Sequence, residues 1–168
     1  MYIPGKSKEY IREGVFHFFK DCTQVITLPN LYFGLERKLM NKGIKVHCSE
    51  YKVNTFKGAV QVKPKGIKMF NKNVKDLDLS IYDGLFFDLY GTWNLSMEEA
   101  LPRINKGARL VITFLMAREH LRVQKIIDIT NREESYVKLL RKFGFITTKY
   151  INYCDSTPMC VFYCTKVE

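Results

Sequence analysis

The chain has 168 residues, 46% of them hydrophobic, with 12 Phe and 10 Tyr against 5 Pro, which excludes a disordered chain and leaves room for one ordinary domain, 1–168. No apolar run approaches the roughly 18 residues of a membrane span, the start lacks the apolar stretch of a secretion signal, and five cysteines without a CxxC pair disfavour a disulfide framework or zinc ribbon. A reducing, cytoplasmic setting away from membranes is therefore expected.

In chain order, Tyr10, Ile11, Val15, Phe18 and Phe19 recur at helical spacing, predicting a helix over about 6–19 within an N-terminal segment 1–21. Val25 to Leu28 reads as a strand stopped by Pro29-Asn30, and Leu31, Leu35 and Leu39 define a helix that ends at Gly43. Ile44, Val46 and Cys48 alternate with polar residues, giving a second strand that ends at Glu50. Segment 52–66 suits either a basic hairpin or a short helix plus turn, because Val60 and Val62 alternate before Pro64-Lys65-Gly66. Strands are expected at Ile67–Phe70, Leu85–Leu89 and Arg109–Leu115.

Ser96 and Glu99 read as a capping box for a short helix that Pro102 disturbs. Thr130 and Glu133 read as a second box, before a helix lined by Tyr136, Leu139, Leu140 and Phe143. Phe145–Tyr153 and Met159–Thr165 close the chain as two strands joined by Asp155-Ser156-Thr157-Pro158. Strands alternating with helices imply parallel βαβ units, hence a three-layer α/β domain, and the final pair adds an antiparallel last strand.

The net charge of +10 is unevenly spread: residues 1–75 hold 15 Lys/Arg against 5 Asp/Glu, residues 76–168 hold 12 of each. Segment 52–75 carries seven lysines and no acid. Such a surface attracts a phosphate backbone through Coulomb energy and counterion release, so nucleic acid, DNA or RNA, is the expected partner, with Lys63, Lys65 and Lys68 as its contacts. The bland reading is a solvated, solubilising face. The oligomeric state stays open, a partner subunit included.

Over roughly 22–168 the chain resembles a class I S-adenosylmethionine-dependent methyltransferase, a Rossmann-like fold. Val25 to Gly34 stands where that family's first strand and glycine-rich turn lie, although this stretch holds no glycine before Gly34. The resemblance implies S-adenosylmethionine as cofactor, over Pro29 and Asn30. It puts Glu50 on the ribose hydroxyls, where a carboxylate accepts two hydrogen bonds, and Asn73 near the adenine. Asp88-Leu89-Tyr90-Gly91 resembles the loop of enzymes that methylate exocyclic base amines, which implies that Asp88 accepts a hydrogen bond from the amine and Tyr90 stacks on the base. Trp93, the only tryptophan, suits either base stacking or covering the sheet. A methyltransferase-like accessory subunit without the chemistry is the alternative. The three histidines lie far apart, without metal-binding spacing, so no metal is expected.

Overall fold

The computed structural model describes residues 8–29, 33–89, 91–116 and 125–168. Twelve main elements follow in order: α1 (Lys8–Phe19), β1 (Gln24–Thr27), α2 (Gly34–Asn41), β2 (Lys45–Ser49), α3 (Val53–Val62), β3 (Lys68–Phe70), β4 (Gly84–Phe87), α4 (Leu95–Ala100), β5 (Arg109–Leu115), α5 (Arg132–Lys142), β6 (Phe145–Asp155) and β7 (Thr157–Lys166). The strands form one sheet in the order β3-β2-β1-β4-β5-β7-β6. β1 to β5 pair in parallel, while β7 runs antiparallel to both β5 and β6. Chain progress reverses direction between β1 and β4, and that reversal opens a crevice at the carboxyl edge of the sheet.

Strand residues alternate between two apolar layers, as a sheet buried on both faces requires. On one face Ile11, Val15 and Phe19 of α1 and Leu35 and Leu39 of α2 pack with Val25, Val46, Phe86 and Val111. On the other, Met97 of α4 and Tyr136, Leu139 and Leu140 of α5 pack with Ile26, Leu85, Ile112 and Phe162. The architecture is the expected three-layer α/β one.

The structure decides one open alternative and corrects two local expectations. Segment 52–66 takes the second of its two expected forms, a helix plus turn: β2 and β3 run parallel, so their connection, helix α3, must cross over the sheet. The cap of α4 is Asn94, whose side chain accepts from the Met97 amide, two residues before the expected Ser96. Asn131, not Thr130, precedes α5, and the Thr130 amide and hydroxyl instead bond Asp128. The last two strands also extend further than their periodicity implies. Ser156, at φ 61°, stands alone between them at the turn.

Candidate functional site

The carboxyl ends of β1, β2 and β4 open onto a cleft of about 570 Å³. Pro29, Glu50, Asn73 and Asp88 all line it, together with Leu28, Lys52, Lys72 and Met97. Parallel strands bring these residues together, because their carboxyl ends share one edge. Asn30 and Tyr90 lie outside the described residues.

Glu50 is held where β2 meets the residues after β3. Its amide donates to the Phe70 carbonyl at 3.0 Å, and its own carbonyl accepts from Asn71 Nδ2 at 2.8 Å. The Ser49 hydroxyl adds a 2.6 Å bond to the Lys72 carbonyl. Glu50 Oε1 accepts the Lys52 amide at 2.8 Å, which orients the carboxylate at the start of α3 and leaves acceptor capacity toward the cleft. Asn73 caps the 3-10 turn Val74–Asp76 through Oδ1, which accepts from Lys75 at 3.2 Å. Its amide N–H groups remain as donors at the cleft wall.

Asp88, one residue past β4, is fixed on both carboxylate oxygens. Thr113 Oγ1 donates to Oδ1 at 3.0 Å from β5, and Lys8 Nζ lies 3.2 Å from Oδ2 at the start of α1. Behind it sits a buried acid that the sequence reading missed. Glu36 is only 4% exposed and accepts from Thr27 Oγ1 at 2.7 Å, with Cys48 Sγ 3.3 Å from the same hydroxyl. Burial pushes the Glu36 carboxyl above its usual range; the Thr27 bond and the Arg12 charge oppose this, and the Asp88 charge adds to it. A charged residue at a position where α2 turns its apolar stripe inward, between Leu35 and Leu39, was the available signal.

Among the described residues of the turn between β1 and α2, the left-handed position is held by a phenylalanine and not by glycine. Phe33 has φ 50° and ψ 30°, and its side chain is fully buried. A left-handed L-residue costs about 1–2 kcal/mol, and burying a phenyl ring returns about 1.5–3 kcal/mol, so packing holds the strained backbone. Gly34 itself is not left-handed, and a β-carbon there would meet nothing within 4 Å.

None of the four expected nucleic-acid contacts, Trp93, Lys63, Lys65 and Lys68, lines the cleft. Trp93 is 3% exposed, donates Nε1–H to Glu98 at 2.9 Å, and packs against Phe114 and Phe143 at 5.9 and 5.4 Å. Its ring covers the sheet and has no face left for a base. Lys63 and Lys65 lie in the connection from α3 to β3, and Lys68 is the first residue of β3. Because α3 runs back across the sheet, these three sit at the amino end of β3, opposite the cleft. Lys63 Nζ is also committed to the Ile67 carbonyl at 2.9 Å. The lysines at the cleft are Lys52 and Lys72, both exposed. Among the described residues no cluster of His, Cys, Asp or Glu is placed to hold a metal ion, and no helix is long and apolar enough to cross a membrane.

This topology, parallel except at β7, is that of the Rossmann-like methyltransferases. The chain is similar to magnesium protoporphyrin IX methyltransferase from Synechocystis PCC 6803, solved with bound S-adenosylhomocysteine, at TM-score 0.69 and 14% identity over 94% of this chain and 83% of that one. It is similar to a candidate RNA methyltransferase from Pyrococcus horikoshii at TM-score 0.66 and 13% identity, covering 97% and 86%. A 1,6-didemethyltoxoflavin-N1-methyltransferase from Burkholderia thailandensis, solved with its acceptor and S-adenosylhomocysteine, gives TM-score 0.66 and 12% identity, covering 96% and 80%. No protein-family model and no curated protein matches the sequence. The likeness lies in the fold, which these proteins apply to different acceptors.

Proposed function

We propose that the chain is an S-adenosylmethionine-dependent methyltransferase that acts on nucleic acid, at an exocyclic base amine. The observation that carries this reading is the convergence of Glu50, Asn73 and Asp88 on one cleft at the point where the strand order reverses. The cleft volume of about 570 Å³ falls within the roughly 300–1,000 Å³ of small-molecule sites, and the donor set suits a nucleoside: a carboxylate for vicinal hydroxyls and an amide for a base edge. Neighbours of this fold solved with S-adenosylhomocysteine support the choice of cofactor.

When bound, S-adenosylmethionine supplies an electrophilic methyl group. Glu50 would accept from its ribose hydroxyls, Asn73 would meet its adenine, and Pro29 would lie under its amino-acid end, the part to which the family resemblance also assigns Asn30. Asp88 accepts a hydrogen bond from the acceptor N–H, which aims the nitrogen lone pair and stabilises the positive charge that develops as the nitrogen attacks. Thr113 keeps that carboxylate in place. Tyr90 is assigned to stack on the base. Lys52 and Lys72 at the rim meet phosphates, which position the strand while the cleft selects the base.

A second reading, a methyltransferase-like nucleic-acid-binding or accessory subunit without the chemistry, is favoured by the glycine-free turn ahead of Gly34 and by Phe33 at its left-handed position. Calorimetric titration with S-adenosylmethionine and S-adenosylhomocysteine separates the two. Heat with both, lost on Glu50→Ala, is expected. No heat with either, even with single-stranded DNA or RNA present, favours the accessory subunit.

A further inference from the structure

Asp88 is engaged from the N-terminal helix, which lies outside the segment 22–168 that carries the family resemblance. Lys8 Nζ stands 3.2 Å from Asp88 Oδ2, and the two side chains are 29% and 15% exposed. A nitrogen donor at that distance from that oxygen makes the contact that an acceptor amine would make. The two parts of α1 are held in different ways. Ile11, Val15 and Phe19 are buried in the core, and Gly14 abuts Tyr163, so the body of the helix is fixed by packing. Lys8 and Glu9, ahead of Ile11, carry ion pairs instead: Lys8 with Asp88, and Glu9 with Arg12 at 3.8 Å and with Lys38 at 3.6 Å. Lys8, 29% exposed, can exchange Asp88 for another hydrogen-bond acceptor provided that a second donor takes its place on the carboxylate, whereas a packed apolar face has no such exchange.

We propose that Lys8 is a latch on the acceptor carboxylate: its ammonium holds the acceptor's place on Asp88, and Lys8 and Glu9 at the start of α1 release it when an amine acceptor binds. The latch also sets specificity. A displaced Lys8 is a cation close to Asp88, so an acceptor that carries a phosphate offers it a new partner and a neutral acceptor does not. The apparent affinity of any acceptor is lowered by the fraction of molecules that are unlatched. This inference rests on the reading of Asp88 as the acceptor carboxylate; the ion pair itself does not.

Amide hydrogen exchange of the ligand-free protein tests the pair. Lys8→Met and Asp88→Asn each remove one charge with little change in shape. Each is expected to speed exchange about fivefold at the amides of Arg12 and Glu13, whose helical carbonyl partners lie in the first turn, and to leave Val15 to Phe19 unchanged. The double variant should match Lys8→Met instead of multiplying the two effects. Unchanged rates in both single variants overturn the latch alone. In wild type, mixed-sequence single-stranded DNA is expected to speed the same two amides, and binding that leaves or raises their protection overturns the release step. Absence of both S-adenosylhomocysteine heat and DNA binding removes the methyltransferase reading and the gate together, with the pair still measured in the ligand-free arm.

Discussion

A β-carbon placed on Gly14 would stand 2.6 Å from the hydroxyl oxygen of Tyr163, so the absence of a side chain on α1 is what lets the helix lie against β7. Tyr163 is fully buried, and its hydroxyl has no hydrogen-bond partner among the described residues. Gly14→Ala should therefore destabilise by about 1–3 kcal/mol through overpacking, despite alanine's better helix propensity. Tyr163→Phe alone should be neutral or stabilising, because it removes a buried polar atom without a partner. In the Gly14→Ala background it should recover most of the loss. Urea unfolding of the three variants checks this; a Gly14→Ala protein more stable than wild type would refute the contact.

Glu50→Ala should weaken S-adenosylhomocysteine binding by about 10–100-fold, the worth of charge-assisted hydrogen bonds to two hydroxyls. Glu50→Gln should fall between, since one carbonyl acceptor survives. Stability should change little, as the side chain stands at the cleft wall and its carboxylate, among the described residues, holds the Lys52 amide alone. Calorimetry and thermal melts on the same samples decide; equal affinity in all three proteins would remove Glu50 from the site.

Replacing Lys52 and Lys72 by Ala should flatten the log–log salt dependence of nucleic-acid affinity by about two units if each neutralises one phosphate. Lys63, Lys65 and Lys68 give the contrasting set, at the amino end of β3. Their triple replacement is expected to leave the slope nearly unchanged. Fluorescence anisotropy across a salt series reads both slopes, and a steeper loss in the triple variant would place the backbone away from the cleft.

Glu36 gives a pH dependence of definite sign. Burial raises its carboxyl above the ordinary value in the folded protein, so between the two values the folded state binds more protons than the unfolded one, and stability falls as pH rises through that window. Glu36→Gln keeps an acceptor for the Thr27 hydroxyl and removes the ionisation. Its melting temperature should lie near wild type at acidic pH and above it at pH 7. Parallel melting curves from pH 4 to 8 would mean that the carboxyl titrates alike in both states.

Much of the fold is legible in the sequence because apolar periodicity is a local signal. Val25 to Leu28, Leu85 to Leu89 and Arg109 to Leu115 announce buried strands, and the helices between them force parallel pairing. Parallel pairing alone brings Glu50 and Asp88 to one edge, since both follow the carboxyl end of a strand. The seven lysines of 52–75 are equally visible in the sequence.

Only the tertiary structure decided where those residues point and what they touch. Periodicity does not reveal that α3 carries Lys63 and Lys65 back to the amino end of β3, because position along a crossover depends on the helix that fills it. Trp93 is buried by Phe114 and Phe143, which precede β6 and come from other elements. The Lys8 to Asp88 pair spans a separation that no sequence pattern encodes. Glu36 looks like an ordinary helix carboxylate until Thr27 and Cys48 close over it. Hydrophobic patterning selects elements and faces, whereas polar contacts between distant segments exist only after the packed layers fix their geometry.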